Sequence, residues 1–265
     1  MKKVITIFTI LMLCSCTTIL SNREHCPCWL ILNLSNATNT DEIHLKVSQD
    51  GMVIHDNIIA TDKFIDYEVE LRRKDATTSA WANIKENISI DKEIKLKPNR
   101  ATADSLLRYI ADNNINLSTE IVMDTVRLIP CYIPIVLTVL NASDNEAITV
   151  EVDNANLGYD LAGIELDDRI SLYPQGMATD GNMIYQFNIL RQERDLDKLT
   201  LTLSERKGEK NKIKAIDLGK KLIESNYSMS SPIAEQVNIT IDAGLMVTVI
   251  KIADWTVVEH FSYEI

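Results

Sequence analysis

The residues best placed to do chemistry are cysteines near the start of the chain. Leu13-Cys14-Ser15-Cys16 has the order of a bacterial lipobox, in which the thiol of the last cysteine, here Cys16, becomes a thioether-linked lipid. The basic start Met1-Lys2-Lys3 and the apolar run Val4 to Leu13 supply the other two parts of an export leader. That run is too short to span a bilayer as a mature helix. Cleavage before Cys16 would remove Cys14 and leave Cys26, Cys28 and Cys131. In an oxidising compartment two of these three could form a disulfide. Cys26-Pro27-Cys28 is too tight to close on itself, so a bond from one of them to Cys131 is the expected pairing. Cys-x-Cys with His25 beside it lacks a second ligand cluster, so no metal is expected there.

Other side chains are weaker candidates. Asp153, Asn154, Asn156 and Asp160 offer oxygen ligands, but their spacing fits no calcium loop and reads as an Asn-rich turn. Asp167-Asp168 reads as a solvated turn, and His25, His44, His55 and His260 as strand or surface residues. No nucleophile elbow, His-Glu-x-x-His pair or glycine-rich phosphate loop occurs, so neither an enzyme nor a cofactor is expected. The net charge of −11 opposes nucleic-acid binding. Loss of Lys2 and Lys3 with the leader makes the charge more negative still, so a lipid on Cys16 rather than charge would hold the chain to a membrane.

The elements that must position any site are strands. Apolar residues alternate with polar ones at Ile43/Leu45/Val47, Tyr67/Val69/Leu71, Ile148/Val150/Val152, Leu199/Leu201/Leu203 and Val237/Ile239/Ile241. Each such segment buries one face and wets the other. Gln49-Asp50-Gly51, Asp180-Gly181-Asn182 and Asp242-Ala243-Gly244 read as turns between them, and Arg206 to Lys210 as a charged hairpin tip. Two short helices are expected. One is Ala103 to Ala111, with Leu106, Leu107 and Ile110 inward; the other is Leu218 to Ser225, with Leu218, Leu222 and Ile223 inward. The predicted organisation is all-β: a leader at 1–15, a lipidated tether at 16–25, and sandwiches at 26–128 and 129–265.

Several pieces follow one another in an order that resembles the fimbrillin-associated anchor lipoproteins (FimB-like and Mfa-like) of Bacteroidales type V pili. They are the lipobox, Cys26-Pro27 with the strand Trp29 to Leu34, the Asp50-Gly51 turn, Tyr67 to Leu71, and Ala80-Trp81-Ala82. Ala103-Asp104-Ser105-Leu106 comes next, then Ile216-Asp217-Leu218-Gly219, Tyr227 and a closing pair of strands with Trp255. Leu107 replaces the usual tyrosine, glycines are sparse and Cys28 is extra. The resemblance implies two tandem transthyretin-like β-sandwiches, an outer-membrane lipid anchor and a place at the fimbrial base on the cell surface. Its partners would be the stalk pilin and other accessory subunits, joined by β-strand complementation. On that reading the candidate pilin interface is the terminal strands, with Val247, Val249, Trp255, Val257 and Phe261. The alternative is a surface glycan-binding β-sandwich lipoprotein. It would need an exposed aromatic platform, and Trp29, Trp81 and Trp255 all read as core.

Overall fold

Alternation becomes strands because a pleated segment sends successive side chains to opposite faces. The structure, a computed structural model, describes residues 23–37, 39–62, 65–98, 100–142, 147–207, 210–242 and 247–260. In the first half the strands are β1 (Pro27–Asn33), β2 (Glu42–Gln49), β3 (Met52–Ala60), β4 (Asp66–Arg72), β5 (Ala76–Ala82), β6 (Ile88–Ile90), β7 (Glu93–Leu96), β8 (Leu107–Asn113) and β9 (Ile121–Thr125). They continue as β10 (Ile129–Pro130), β11 (Tyr132–Leu140), β12 (Ala147–Asn156), β13 (Gly158–Asp160), β14 (Arg169–Leu172), β15 (Gly176–Thr179) and β16 (Asn182–Leu190). The last are β17 (Thr200–Lys207), β18 (Lys210–Ile216), β19 (Val237–Asp242), β20 (Val247–Ile252) and β21 (Trp255–His260). One α-helix is described, α1 (Leu218–Glu224). The fold is an all-β sandwich architecture.

The chain forms two compact units. One comprises the residues up to Ala80 with Tyr109–Leu128, the other Trp81–Arg108 with Ile129–Ile265. In the first unit β1 lies between β4, antiparallel, and β9, parallel, with Leu30 opposite both Val69 and Val122. The other sheet orders as β8-β5-β2-β3. Leu30, Leu32, Ile43, Leu45, Val47 and Val69 are buried, one residue in two along each strand. In the second unit a six-stranded sheet runs β15-β16-β11-β19-β20-β21 and a four-stranded one β14-β12-β17-β18. Ile133, Ile135, Leu137, Val150, Leu201 and Ile239 are buried in it. The Tyr185 hydroxyl donates to the Ile148 carbonyl at 3.0 Å, joining a strand of each sheet.

Residues 81–108 therefore group differently from the expected division at 128/129. The reason is local. Lys95 of β7 pairs with Gly158 of β13. The Ala103 N–H donates to the Asn188 carbonyl at 2.8 Å. The Trp81 ring lies 5.9 Å from that of Tyr159.

The helix expected over Ala103 to Ala111 is not formed. Leu107–Asn113 is strand β8, and Leu107 pairs with Pro130. Asp104 does not cap a helix. Its carboxylate accepts from the Lys85 N–H at 2.8 Å, the Ile88 N–H at 3.1 Å and the Asn87 side-chain amide at 2.9 Å. That gathers the turn before β6, whose backbone donors would otherwise be unpaired. The second expected helix is present as α1, with Leu218 and Leu222 buried, but Ile223 faces out. The turn residues Ala243 and Gly244, and the tip at 208–209, lie outside the described residues.

Candidate functional site

In the first unit β3 and β4 are each the last strand of their sheet. The β2–β3 hairpin is made by Asp50 and Gly51, both with positive φ (52° and 74°), as a tight two-residue turn requires. Gln49, just before that turn, is buried. Its amide donates to the carbonyls of Arg72 and Lys74 at 3.0 and 2.7 Å and accepts from the Arg72 N–H at 3.1 Å. It thus fixes the end of β2 against the end of β4. Beside it a groove of about 420 Å³ is lined by Pro27, Met52, Ile54, Leu71 and Lys74. Lys74 pairs with Asp50 at 3.2 Å and Glu24 at 3.5 Å on its rim.

β3 is apolar outward as well as inward. Met52 is 66% exposed and Ile58 60%, with Val53 and Ile54 also exposed. Among the described residues no strand pairs with its outer edge. A long apolar edge of this kind presents open backbone donors and acceptors, which is the chemistry of strand addition. His55 on the same strand sits 3.3 Å from the Tyr67 hydroxyl, and burial pushes its imidazole pKa down against the pull of Asp56. Sequence reasoning had no signal for this edge, because the pattern of β3 does not say which strand will be outermost.

The predicted interface in the second unit is divided by the structure. β20 is an inner strand between β19 and β21, and β21 is the edge. Trp255 and Val257 pair with Ile252 and Ile250, both buried, so they lie on the core face. Val249 pairs with Val258 on the other face, and Val258, not singled out from sequence, is 51% exposed. Val247 pairs through its backbone with His260. Phe261 and the lipidation candidate Cys16 lie outside the described residues.

The tryptophans are not all core. Trp81 is fully buried and Trp255 is half-buried, but Trp29 is 42% exposed. It pairs with Ile121, and its neighbour Ile31 with Met123, which is 75% exposed. The outer side of the β1–β9 pair is therefore apolar. The expected disulfide is absent: Cys28 and Cys131 are buried free thiols, one in the core of each unit. Burial pushes the Cys131 thiol up to about 12 and raises that of Cys28. The oxygen ligands weighed for calcium are dispersed rather than in a turn. Asn156 is buried in β12, bonding the Arg191 carbonyl and the Gly158 N–H, while Asp160 accepts from the Ile164 N–H. No group of three metal-ligating side chains occurs among the described residues.

No family's sequence model matches the chain, and no curated protein matches it. Solved structures do. The fimbrial anchor protein Mfa2 of Porphyromonas gingivalis superposes with a TM-score of 0.64 at 15% identity, over 89% of this chain and 100% of that one. A Bacteroides thetaiotaomicron DUF1812 protein, provisionally named as polysaccharide-binding, gives 0.66 at 16% over 89% and 98%. A Bacteroides ovatus protein provisionally named an adhesin gives 0.64 at 11% over 88% and 95%. At these identities the likeness is one of fold. The chain has the fold of Bacteroidales fimbrial and adhesin structures, and that of Mfa2 along almost its whole length; none of these three proteins is named as an enzyme.

Proposed function

We propose that the protein is a cell-surface lipoprotein that anchors or helps to assemble a type V fimbria, held to the outer membrane through Cys16 and joined to pilin by β-strand complementation. The observation that carries this reading is the unpaired, outward-apolar edge of β3 beside the groove floored by Leu71, on a chain that folds as Mfa2 does. An added strand would satisfy the open backbone groups of β3 and cover Met52 and Ile54. The terminal edge β21 is the second candidate for the joint, because it too lacks a partner on one side among the described residues.

The test is deletion of the gene with imaging of the fimbriae. Shed or over-long fibres are expected; fibres of normal length still attached to cells would overturn the anchor reading. Ile58→Lys, which puts a charge on the β3 edge without touching the core, is expected to reproduce the deletion. Cys16→Ala is expected to move the protein out of the membrane fraction, and its retention there would refute the lipid anchor.

One observation favours a second reading, a glycan-binding surface lipoprotein. Trp29 is exposed, so an aromatic contact for a sugar exists on the β1–β9 face. Trp29→Ala would abolish retention on an immobilised glycan array under that reading and leave fimbrial attachment intact.

A further inference from the structure

Two arginines distant in sequence meet at one cavity in the second unit. The cavity is about 270 Å³ and is lined by Arg108, Tyr159, Glu165, Arg191 and Arg194 among others. Arg191 is only 4% exposed. Its guanidinium donates to three backbone carbonyls, of Met229 (2.9 Å), Ser231 (2.7 Å) and Ile233 (2.8 Å), and packs over the Tyr227 ring. Its Nε–H is buried without an acceptor. Arg108 lies 5.1 Å over the Tyr159 ring and commits one N–H, to the Gly163 carbonyl at 2.7 Å. A guanidinium has five N–H donors, so most of those of Arg108 are uncommitted among the described residues.

Neither arginine has a carboxylate within ion-pair distance among the described residues. The acids nearby are engaged or outward. Glu165 pairs with Arg169 at 3.4 Å and accepts from the backbone N–H groups of Glu193 and Arg194. Asp167 pairs with Arg194 at 2.6 Å. Glu193 is exposed. The Tyr159 hydroxyl donates to the Arg191 carbonyl, which leaves its lone pair but not its proton. Both guanidiniums act on the same buried thiol, lowering the Cys131 pKa against the larger effect of burial, so their charges converge. A chain with a net charge of −11 therefore holds two buried or half-buried positive charges without a matching negative one. An uncompensated buried charge is costly, and backbone dipoles offset it only in part.

We propose that this cavity is a binding site for a small oxyanion, a carboxylate or phosphate group, held by the free N–H donors of Arg108 and the Nε–H of Arg191. Guanidinium groups recognise both anions through parallel hydrogen bonds. The volume admits a single such group or one acidic sugar residue, and is below the range of drug-sized sites, about 300–1,000 Å³. The site is independent of the fimbrial reading, since neither edge strand contributes to it.

The test is titration calorimetry and thermal melting of the whole protein with sodium phosphate, sodium acetate and sodium glucuronate, against sodium chloride at matched ionic strength. Saturable binding and a rising Tm are expected for at least one probe. Preference for phosphate, bare carboxylate or the sugar acid identifies the source. Arg108→Gln is expected to weaken binding at least tenfold. Crystals soaked in selenate give a check independent of the variant's folding, with selenium scattering expected between Arg108 and Arg191. Tm shifts no larger than those of chloride with an empty cavity in the soaked crystal, or equal binding by a folded Arg108→Gln, would overturn the proposal.

Discussion

Lys221 of α1 reaches Glu259 of the terminal strand β21 and closes an ion pair at 2.7 Å, with both side chains mostly out of water. The one described α-helix thus holds an edge strand that carries the predicted interface. The hydrogen bond to Glu259 leads the causes that raise the Lys221 pKa above its ordinary value. A raised lysine pKa means the pair's stabilisation is complete below the unfolded value of 10.5 and is lost as pH climbs through the folded one. Glu259→Gln is expected to cost about 1 kcal/mol at pH 8, the upper end for such pairs, and less at pH 11, above the ordinary lysine value. Urea melts at the two pH values measure this. Hydrogen exchange should show the loss concentrated in β21.

Gly219→Ala is expected to be strongly destabilising. A Cβ there would stand 1.5 Å from the Leu196 carbonyl oxygen, and the Gly219 N–H donates to the Leu199 carbonyl at 3.0 Å. The helix can accept a side chain at that position only by leaving the loop it rests on. A loss of about 2–3 kcal/mol, in the range of core overpacking, should appear in thermal melts. A melt unchanged from the parent would show that α1 is not pinned.

Asp104→Ala removes the acceptor for three backbone N–H groups, of Lys85, Asn87 and Ile88, and for the Asn87 side-chain amide. Buried donors left unpaired cost about 1–3 kcal/mol each, so a loss of at least about 2 kcal/mol is expected from chemical denaturation. Asp104→Glu, longer by one methylene, should not rescue it.

Cys28 and Cys131 should resist a thiol reagent in the native protein and react after denaturation. Burial raises the Cys131 pKa from 9.0 to about 12, which favours the fold while the thiol is neutral. That contribution is complete below pH 9 and falls as pH rises toward 12, by about 1.4 kcal/mol per unit. Rapid native labelling of either thiol at pH 8 would contradict the burial.

The strands were legible where one face is dry. β2 and β19 bury every second residue, and β4, β12 and β17 do so at Val69/Leu71, Val150/Val152 and Leu201/Leu203; period two shows that directly. The segment Ala103 to Ala111 misled because a bend followed by a strand happened to put Leu106, Leu107 and Ile110 at helical spacing. Only the partners Asn188 and Pro130, far along the chain, reveal the strand and its lead-in. Trp29 was misread for a related reason: alternation says that a residue faces opposite to its neighbours, not which side is the core. The groove and the arginine cavity had no local signature, since Ile54 meets Leu71, and Arg108 meets Arg191, only after folding.

The parallel pairing of β1 with β9 also bears on how the molecule is made. A chain emerging N-terminus first presents Leu30 and Leu32 long before Val122 exists to lie beside them. The antiparallel partner β4 arrives early, but β1 keeps one open apolar edge until residues 121–125 have followed. The same holds for β7, which waits for Gly158. Newly made chains thus keep apolar edges open until their late partners have followed, so yield in the cell should depend on how much holding chaperone is present.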